Sequence, residues 1–150
     1  MNRRYQKARR CITRRALAEE GSSLVEFAFS FMILSMMLFG IMELGLCFYT
    51  FNFVCETARE ATRYASVRGS ACTGFGDCGI TQTQLATYVK NLGYPGIDPN
   101  ALTVTTTWAS GNSPGSPVLV TVSYQFPLAV PFLFKNTWTL TSTSQMVISQ

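Results

Sequence analysis

A long apolar run occupies much of the N-terminal third of the chain. Residues 27–42 are uncharged, and after Glu43 residues 44–55 are uncharged again. A helix rises about 1.5 Å per residue, so residues 27–55 would extend roughly 43 Å, more than a hydrocarbon core of about 30 Å requires. The pattern therefore predicts a helix that spans a membrane and then protrudes from it.

The helical pattern continues beyond the apolar run. Small residues recur at helical spacing, at Ala58, Ala61, Thr62 and Ala65. Such a stripe lets a sheet or another helix approach closely, either within one subunit or between subunits. We predict one long helix over residues 22–68.

A short second helix is predicted after a loop at residues 70–80. Thr81 and Gln84 fit a capping box, in which each side chain bonds the backbone N–H of the other residue. Gly93 closes the helix after four apolar residues at helical spacing, Leu85, Tyr88, Val89 and Leu92.

The apolar period changes to two from Leu102 onward. Alternating segments begin at Leu102, Val118 and Thr137, the last with Trp138, Leu140, Met146 and Ile148 on one face. Short connections favour antiparallel pairing, so the fold class is predicted as α+β, with about three antiparallel strands in a domain over residues 69–150. Residues 127–134 form an apolar connection that either folds over the sheet edge or contacts a membrane or partner.

The charge of the chain is concentrated at its N-terminus. Residues 1–20 hold seven arginines and lysines against Glu19 and Glu20, a net charge of +5, and the other 130 residues sum to −1. Basic residues before an apolar helix keep that end in the cytoplasm. Nucleic-acid binding is the alternative, but no aromatic platform accompanies these arginines, so we expect no nucleic-acid partner. A secretory signal peptide is disfavoured because its apolar core would be about 7–15 residues long.

The residues available for catalysis are few. The chain contains no histidine, and only Asp77 and Asp98 are acidic beyond residue 68. Triads based on histidine are therefore excluded, and a carboxylate pair for acid–base chemistry is thinly supported. The glycines at 74, 76 and 79 lie in a loop and do not form a nucleotide-binding motif. We expect no enzymatic activity, no cofactor and no metal site.

Two of the five cysteines lie close together in a polar loop. A disulfide between Cys72 and Cys78 would contribute about 2–3 kcal/mol by constraining the unfolded chain, provided the loop is outside the cytoplasm. A metal site from the same two thiolates is the weaker alternative. Cys47 and Cys55 are interpreted as small apolar residues on the helix, with their pairing left open.

Glu26 places a carboxylate at the start of the apolar run. A charge at bilayer depth costs at least about 2.5 kcal/mol on insertion scales, so such an acid indicates a function. Cleavage after Gly21 would make Glu26 the fifth residue of a new N-terminus. Glu43 lies 17 residues further, about 26 Å along a helix and about 100° around it, at the outer interface or paired with another subunit.

These features together resemble TadE-like proteins, minor pilin-like components of the bacterial tight-adherence (Flp) pilus apparatus. The resemblance covers roughly residues 20–66. It rests on Gly21, Glu26-Phe27, Phe39–Gly45 and Ala58–Ala65, in that order on one helix behind a basic leader.

The resemblance implies a sequence of processing and assembly steps. A prepilin peptidase of the inner membrane would cut between Gly21 and Ser22 and remove the leader, residues 1–21. In related pilins the fifth mature residue pairs with the free amine of a neighbouring subunit, a role that falls here on Glu26 and Ser22, with Phe27 beside them. The alternative places Glu26 at the cytoplasmic headgroups, where a helix N-terminus tolerates acids.

The function expected from the resemblance is that of a minor pilin or pseudopilin in pilus assembly. Its partners would be the peptidase, other pilin and pseudopilin subunits and the assembly platform. The C-terminal domain would lie in the periplasm. The alternative is an uncleaved single-span membrane protein with an extracytoplasmic binding domain, and a membrane-tethered enzyme is disfavoured by the missing histidine.

Overall fold

The computed structural model describes residues 3–74, 76–128 and 137–149, with side chains from Gly21 onward. The chain divides into two compact units between Met42 and Glu43. Helix α1 covers Arg3–Ser66 and therefore contributes to both units. Helical conformation extends through residues 3–20, whose sequence is rich in Arg and Ala, both good helix formers, and contains neither Gly nor Pro.

The first unit is the N-terminal part of α1. From Leu24 to Met42 its large apolar side chains are exposed; Phe27, for example, is 68% exposed. The segment Gly21–Ser66 contains an 18-residue window with a mean hydropathy of 2.1, none of it buried within the chain. By length and composition α1 can cross a membrane, and it is the candidate membrane anchor of the protein.

The second unit has an α+β architecture, as the sequence predicts. It contains the end of α1, helix α2 over Gln82–Asn91, and strands β1 over Leu102–Trp108, β2 over Pro117–Pro127 and β3 over Thr137–Val147. The strands form an antiparallel sheet in the order β1-β2-β3. Of the apolar connection at residues 127–134, predicted to fold over the sheet edge or to contact a membrane or partner, residues 129–134 lie outside the described residues.

The core of this unit lies between α1 and one face of the sheet. Alternate residues of β2 are buried, among them Val118, Val120 and Val122 with no exposed surface. Ala58, Ala61 and Ala65 of α1 are also fully buried in the same core, so the small-residue stripe packs within the subunit. Short side chains let the helix backbone approach the sheet; the Thr62 hydroxyl lies 3.4 Å from the Ser144 carbonyl oxygen.

Helix α2 runs antiparallel to the end of α1. Its capping box is present as predicted, with both the Thr81 and Gln84 side chains bonded to backbone. Just before α2, the N–H of Ile80 donates to the Arg68 carbonyl at 3.2 Å. Beyond its other end, the Tyr94 ring packs on Phe53 with centroids 4.5 Å apart. Leu85 and Val89 fill the core side of the helix.

The inner face of β3 is only partly covered. Trp138, Leu140, Met146 and Ile148 share that face as predicted, and Ile148 is buried. Trp138, however, is 53% exposed and Met146 43% exposed. β3 is an edge strand, and among the described strands it pairs only with β2. β1, at the opposite edge of the sheet, is packed by α2. An edge strand buries its side chains only where another element lies over it.

Candidate processing and assembly segment

Gly21 and Ser22, the predicted processing site, lie on α1 and are exposed. Within the described part of the chain, a Cβ atom built on Gly21 meets nothing within 4 Å. The fold of this chain therefore does not require glycine at position 21. A requirement for glycine there would come from another molecule, such as an enclosed protease site, and a larger residue would test it without disturbing the fold.

Glu26 and Phe27, the predicted assembly residues, are exposed on the same helix. The Phe27 ring lies against Phe31 one turn further, with centroids 6.1 Å apart. An exposed phenylalanine is unfavourable in water, and the neighbouring carboxylate is unfavourable in lipid. The pair is suited to a contact surface that offers an apolar group to the phenylalanine and a positive charge to the carboxylate.

Glu43 is half-buried and begins the second unit. It is 17 residues from Glu26 on α1, and Glu26 belongs to the first unit. The roles suggested for Glu43, at the outer interface or against another subunit, stay predictions.

Cys72 and Cys78 form a disulfide, with Cα atoms 5.5 Å apart. Both sulfurs are used in this bond, so they are not thiolate ligands for a metal. The loop is also tied by backbone hydrogen bonds, since the Gly79 N–H donates to Gly69 at 3.1 Å and the Ser70 N–H donates to Asn112 at 2.7 Å. Cys47 and Cys55 on α1 are free and half-buried.

A polar cluster next to the disulfide was not predicted from the sequence. Arg68 Nε donates to Asp77 Oδ2 at 2.8 Å, and the Tyr64 hydroxyl donates to the same oxygen. The Arg68 guanidinium also lies 3.6 Å from the centroid of the Tyr64 ring. Tyr64 stacks on Tyr88 of α2 with centroids 3.8 Å apart, and Tyr88 donates to Glu60 at 3.2 Å. The cluster joins α1, α2 and the disulfide loop.

The electrostatics of this cluster favour an ionised Asp77. Hydrogen bonds from the Tyr64 hydroxyl, and then from Arg68, lower the pKa of Asp77. Burial, followed by the charge of Glu60, raises the pKa of Tyr88. Asp77, one of two acids considered for acid–base chemistry, is thus held in an ion pair. A carboxylate stabilised in its charged form is a poor proton donor and a weak base near neutral pH.

The i,i+4 spacing of Tyr64 and Arg68 was a signal in the sequence for part of the cluster. Asp77 and Tyr88 had no such signal, because both are brought to α1 by the chain reversal at the disulfide loop.

Residues 21–63 match the family model of TadE-like proteins. The match confirms the resemblance and indicates a protein associated with the Tad pilus. This TadE-like segment begins at Gly21 and contains Glu26, Phe27, Glu43 and the first two buried alanines. The disulfide loop, α2 and the sheet lie outside it. No curated protein and no solved structure matches the chain.

Proposed function

We propose that the protein is a minor pilin-like subunit, or pseudopilin, of a tight-adherence pilus or its secretion apparatus. A prepilin peptidase cleaves it after Gly21, and the mature chain begins at Ser22. The observation that carries the proposal is the position of the TadE-like segment, which starts at Gly21 on an exposed apolar helix and has its first acid five residues later.

Processing is the first step of the proposed function. Residues 1–20 carry a net charge of +5, which holds this end of the precursor in the cytoplasm. The apolar part of α1 then crosses the inner membrane, and the second unit lies in the periplasm. That compartment is oxidising, which suits the Cys72–Cys78 disulfide.

Assembly is the second step. Cleavage creates a free α-amine on Ser22, and Glu26 is the first carboxylate after it. In an apolar bundle of helices an unpaired ammonium and an unpaired carboxylate are both costly. Pairing Glu26 of one subunit with the Ser22 amine of a neighbour removes both costs and selects one axial register. The partners are other pilin and pseudopilin subunits and the assembly platform, and the protein acts by packing, without catalysing a reaction.

The test is the intact mass and N-terminal residue of the protein purified from its native membrane. A chain that starts at Ser22 supports the proposal, and the Gly21→Leu variant is then expected to accumulate as a full-length, membrane-inserted precursor. Gly40→Leu is the matched control, because it makes the same change in the same helix, again with nothing within 4 Å of the new Cβ. It should be cleaved normally.

Retention of residues 1–21 in cells that contain the peptidase would contradict the proposal. The protein would then be an uncleaved single-span membrane protein with an extracytoplasmic binding domain. Normal trimming of Gly21→Leu would instead exclude Gly21 as the cleavage position.

A further inference from the structure

A group of exposed aromatic side chains surrounds α1 at the start of the second unit. Phe48 is 59% exposed, Tyr49 46% and Phe51 43%. A loop from elsewhere in the unit brings Tyr94, 39% exposed, to the same level of the helix. The Tyr49 hydroxyl donates to the Pro95 carbonyl at 3.2 Å, and the Tyr94 ring packs on Phe53. Phe48, Tyr49, Phe51 and Tyr94 are called the aromatic collar.

The two sequence segments that carry the collar are uncharged. Residues 44–55 of α1 and residues 91–97 of the loop contain no Asp, Glu, Lys or Arg. Charge begins again on α1 at Glu56, and the loop is bracketed by Lys90 and Asp98. A loop exposed to water normally carries charged or strongly polar residues at its tip, whereas this tip is Gly-Tyr-Pro-Gly.

The direction of the exposed side chains indicates what surrounds them. At 100° per residue, Leu44, Leu46, Phe48, Tyr49 and Phe51 together span roughly 220° of the helix circumference. A single protein neighbour covers an apolar stripe of about 100°. Lipid surrounds a helix on every side that its own domain leaves open. The span of directions therefore fits lipid better than one docked subunit.

The order along the chain puts the collar directly after a segment that is long enough to cross a membrane. Residues 24–42 form about 28 Å of helix, close to a hydrocarbon core of about 30 Å. Within the second unit, Phe48 lies about 8 Å and Phe51 about 12 Å along the helix from Glu43. Tyrosine and tryptophan rings concentrate in the headgroup layer of membrane proteins, because one end of the ring is apolar and the other is polar, and Tyr49 and Tyr94 are rings of this kind.

We propose that the aromatic collar seats the second unit on the outer surface of the membrane, with Tyr94 and the uncharged loop at residues 91–97 in contact with lipid headgroups. The collar would determine the distance between the domain and the bilayer before the subunit is assembled. The proposal rests on the membrane anchor of the proposed function and is independent of cleavage after Gly21.

Depth-dependent fluorescence quenching tests this contact on the full-length chain. Trp108 and Trp138 are replaced by Phe, and one new tryptophan is introduced as Tyr94→Trp. Gln82→Trp is the matched control, because Gln82 is exposed at the opposite end of α2. The antiparallel course of α2 places it near Arg68, some 20 Å or more along α1 from the collar. Each chain is reconstituted into phosphatidylcholine vesicles with lipids brominated near the headgroup.

The expected result is quenching of Tyr94→Trp several-fold stronger than that of Gln82→Trp. Phe48→Trp is a second probe on α1 itself and should be quenched as well. Equal quenching at positions 94 and 82 would overturn the proposal. The proposal would also be overturned if the tryptophan of Tyr94→Trp were shielded from acrylamide in water but not quenched by the brominated lipid. That result would assign the collar to a contact with a second protein subunit. An unprocessed precursor should give the same quenching, so failure of cleavage and failure of seating are separable.

Discussion

The Arg68 guanidinium donates a 2.8 Å hydrogen bond to Asp77 across the disulfide loop. The same guanidinium lies over the Tyr64 ring, so it contacts both the end of α1 and the loop. The disulfide shortens the loop, and the ion pair fixes its direction relative to α1.

We predict that Asp77→Asn lowers stability at neutral pH and has less effect in acid. The pKa of Asp77 is lowered in the folded state by Tyr64 and Arg68. Stability from its ionised form is therefore fully present above the unfolded carboxyl pKa, about 3.9, and is lost as the pH falls through the lower folded value. Thermal unfolding of both proteins from pH 7 to pH 2.5 should show curves that converge below about pH 4. A constant difference would contradict the ion pair.

Loss of the disulfide should be a moderate destabilisation. The bond joins residues six apart, and closing so short a loop contributes about 2–3 kcal/mol. Replacing Cys72 and Cys78 by Ser together should lower the free energy of unfolding by this amount in detergent micelles. Dithiothreitol should reproduce the loss in the wild-type chain and leave the double variant unchanged. A reductant effect on the double variant would indicate a different cause.

The buried alanine stripe should not tolerate larger side chains. Ala61 is fully buried between α1 and the sheet, so Ala61→Leu is expected to cost about 1–3 kcal/mol through overpacking. Arg59→Ala on the exposed side of the same helix breaks the exposed Glu56–Arg59 pair and should cost less than about 0.5 kcal/mol. Near-UV circular dichroism during denaturant unfolding compares the two. Similar losses would show that the stripe is not closely packed.

Glu26→Ala should permit processing and impair assembly. The peptidase acts at Gly21, five residues earlier, whereas the Ser22 amine would lose its proposed partner. The measurements are the N-terminal residue of the mature chain and the number of pili per cell. Glu56→Ala, which removes an exposed acid from the same helix, is the control. Wild-type piliation by Glu26→Ala would instead place Glu26 at the cytoplasmic headgroups.

The long apolar helix, the capped second helix and the three strands were predictable because each follows from a local pattern. Periodicity and capping depend on residues within a few positions of one another. The strand starts at Leu102 and Thr137 agree with the structure, and β2 begins one residue before the predicted Val118. The disulfide was predictable for the same reason, since Cys72 and Cys78 are neighbours in sequence.

Only the tertiary structure determined the side-chain contacts and the burial that depend on distant parts of the chain. The antiparallel course of α2 brings Tyr88 to Tyr64 and Tyr94 to Phe53, and no local pattern encodes these contacts. The exposure of Trp138 was likewise decided by which elements cover β3, although its strand face was evident. Local sequence determines the conformation and amphipathic face of an element, whereas burial and side-chain partners depend on where the chain places the other elements.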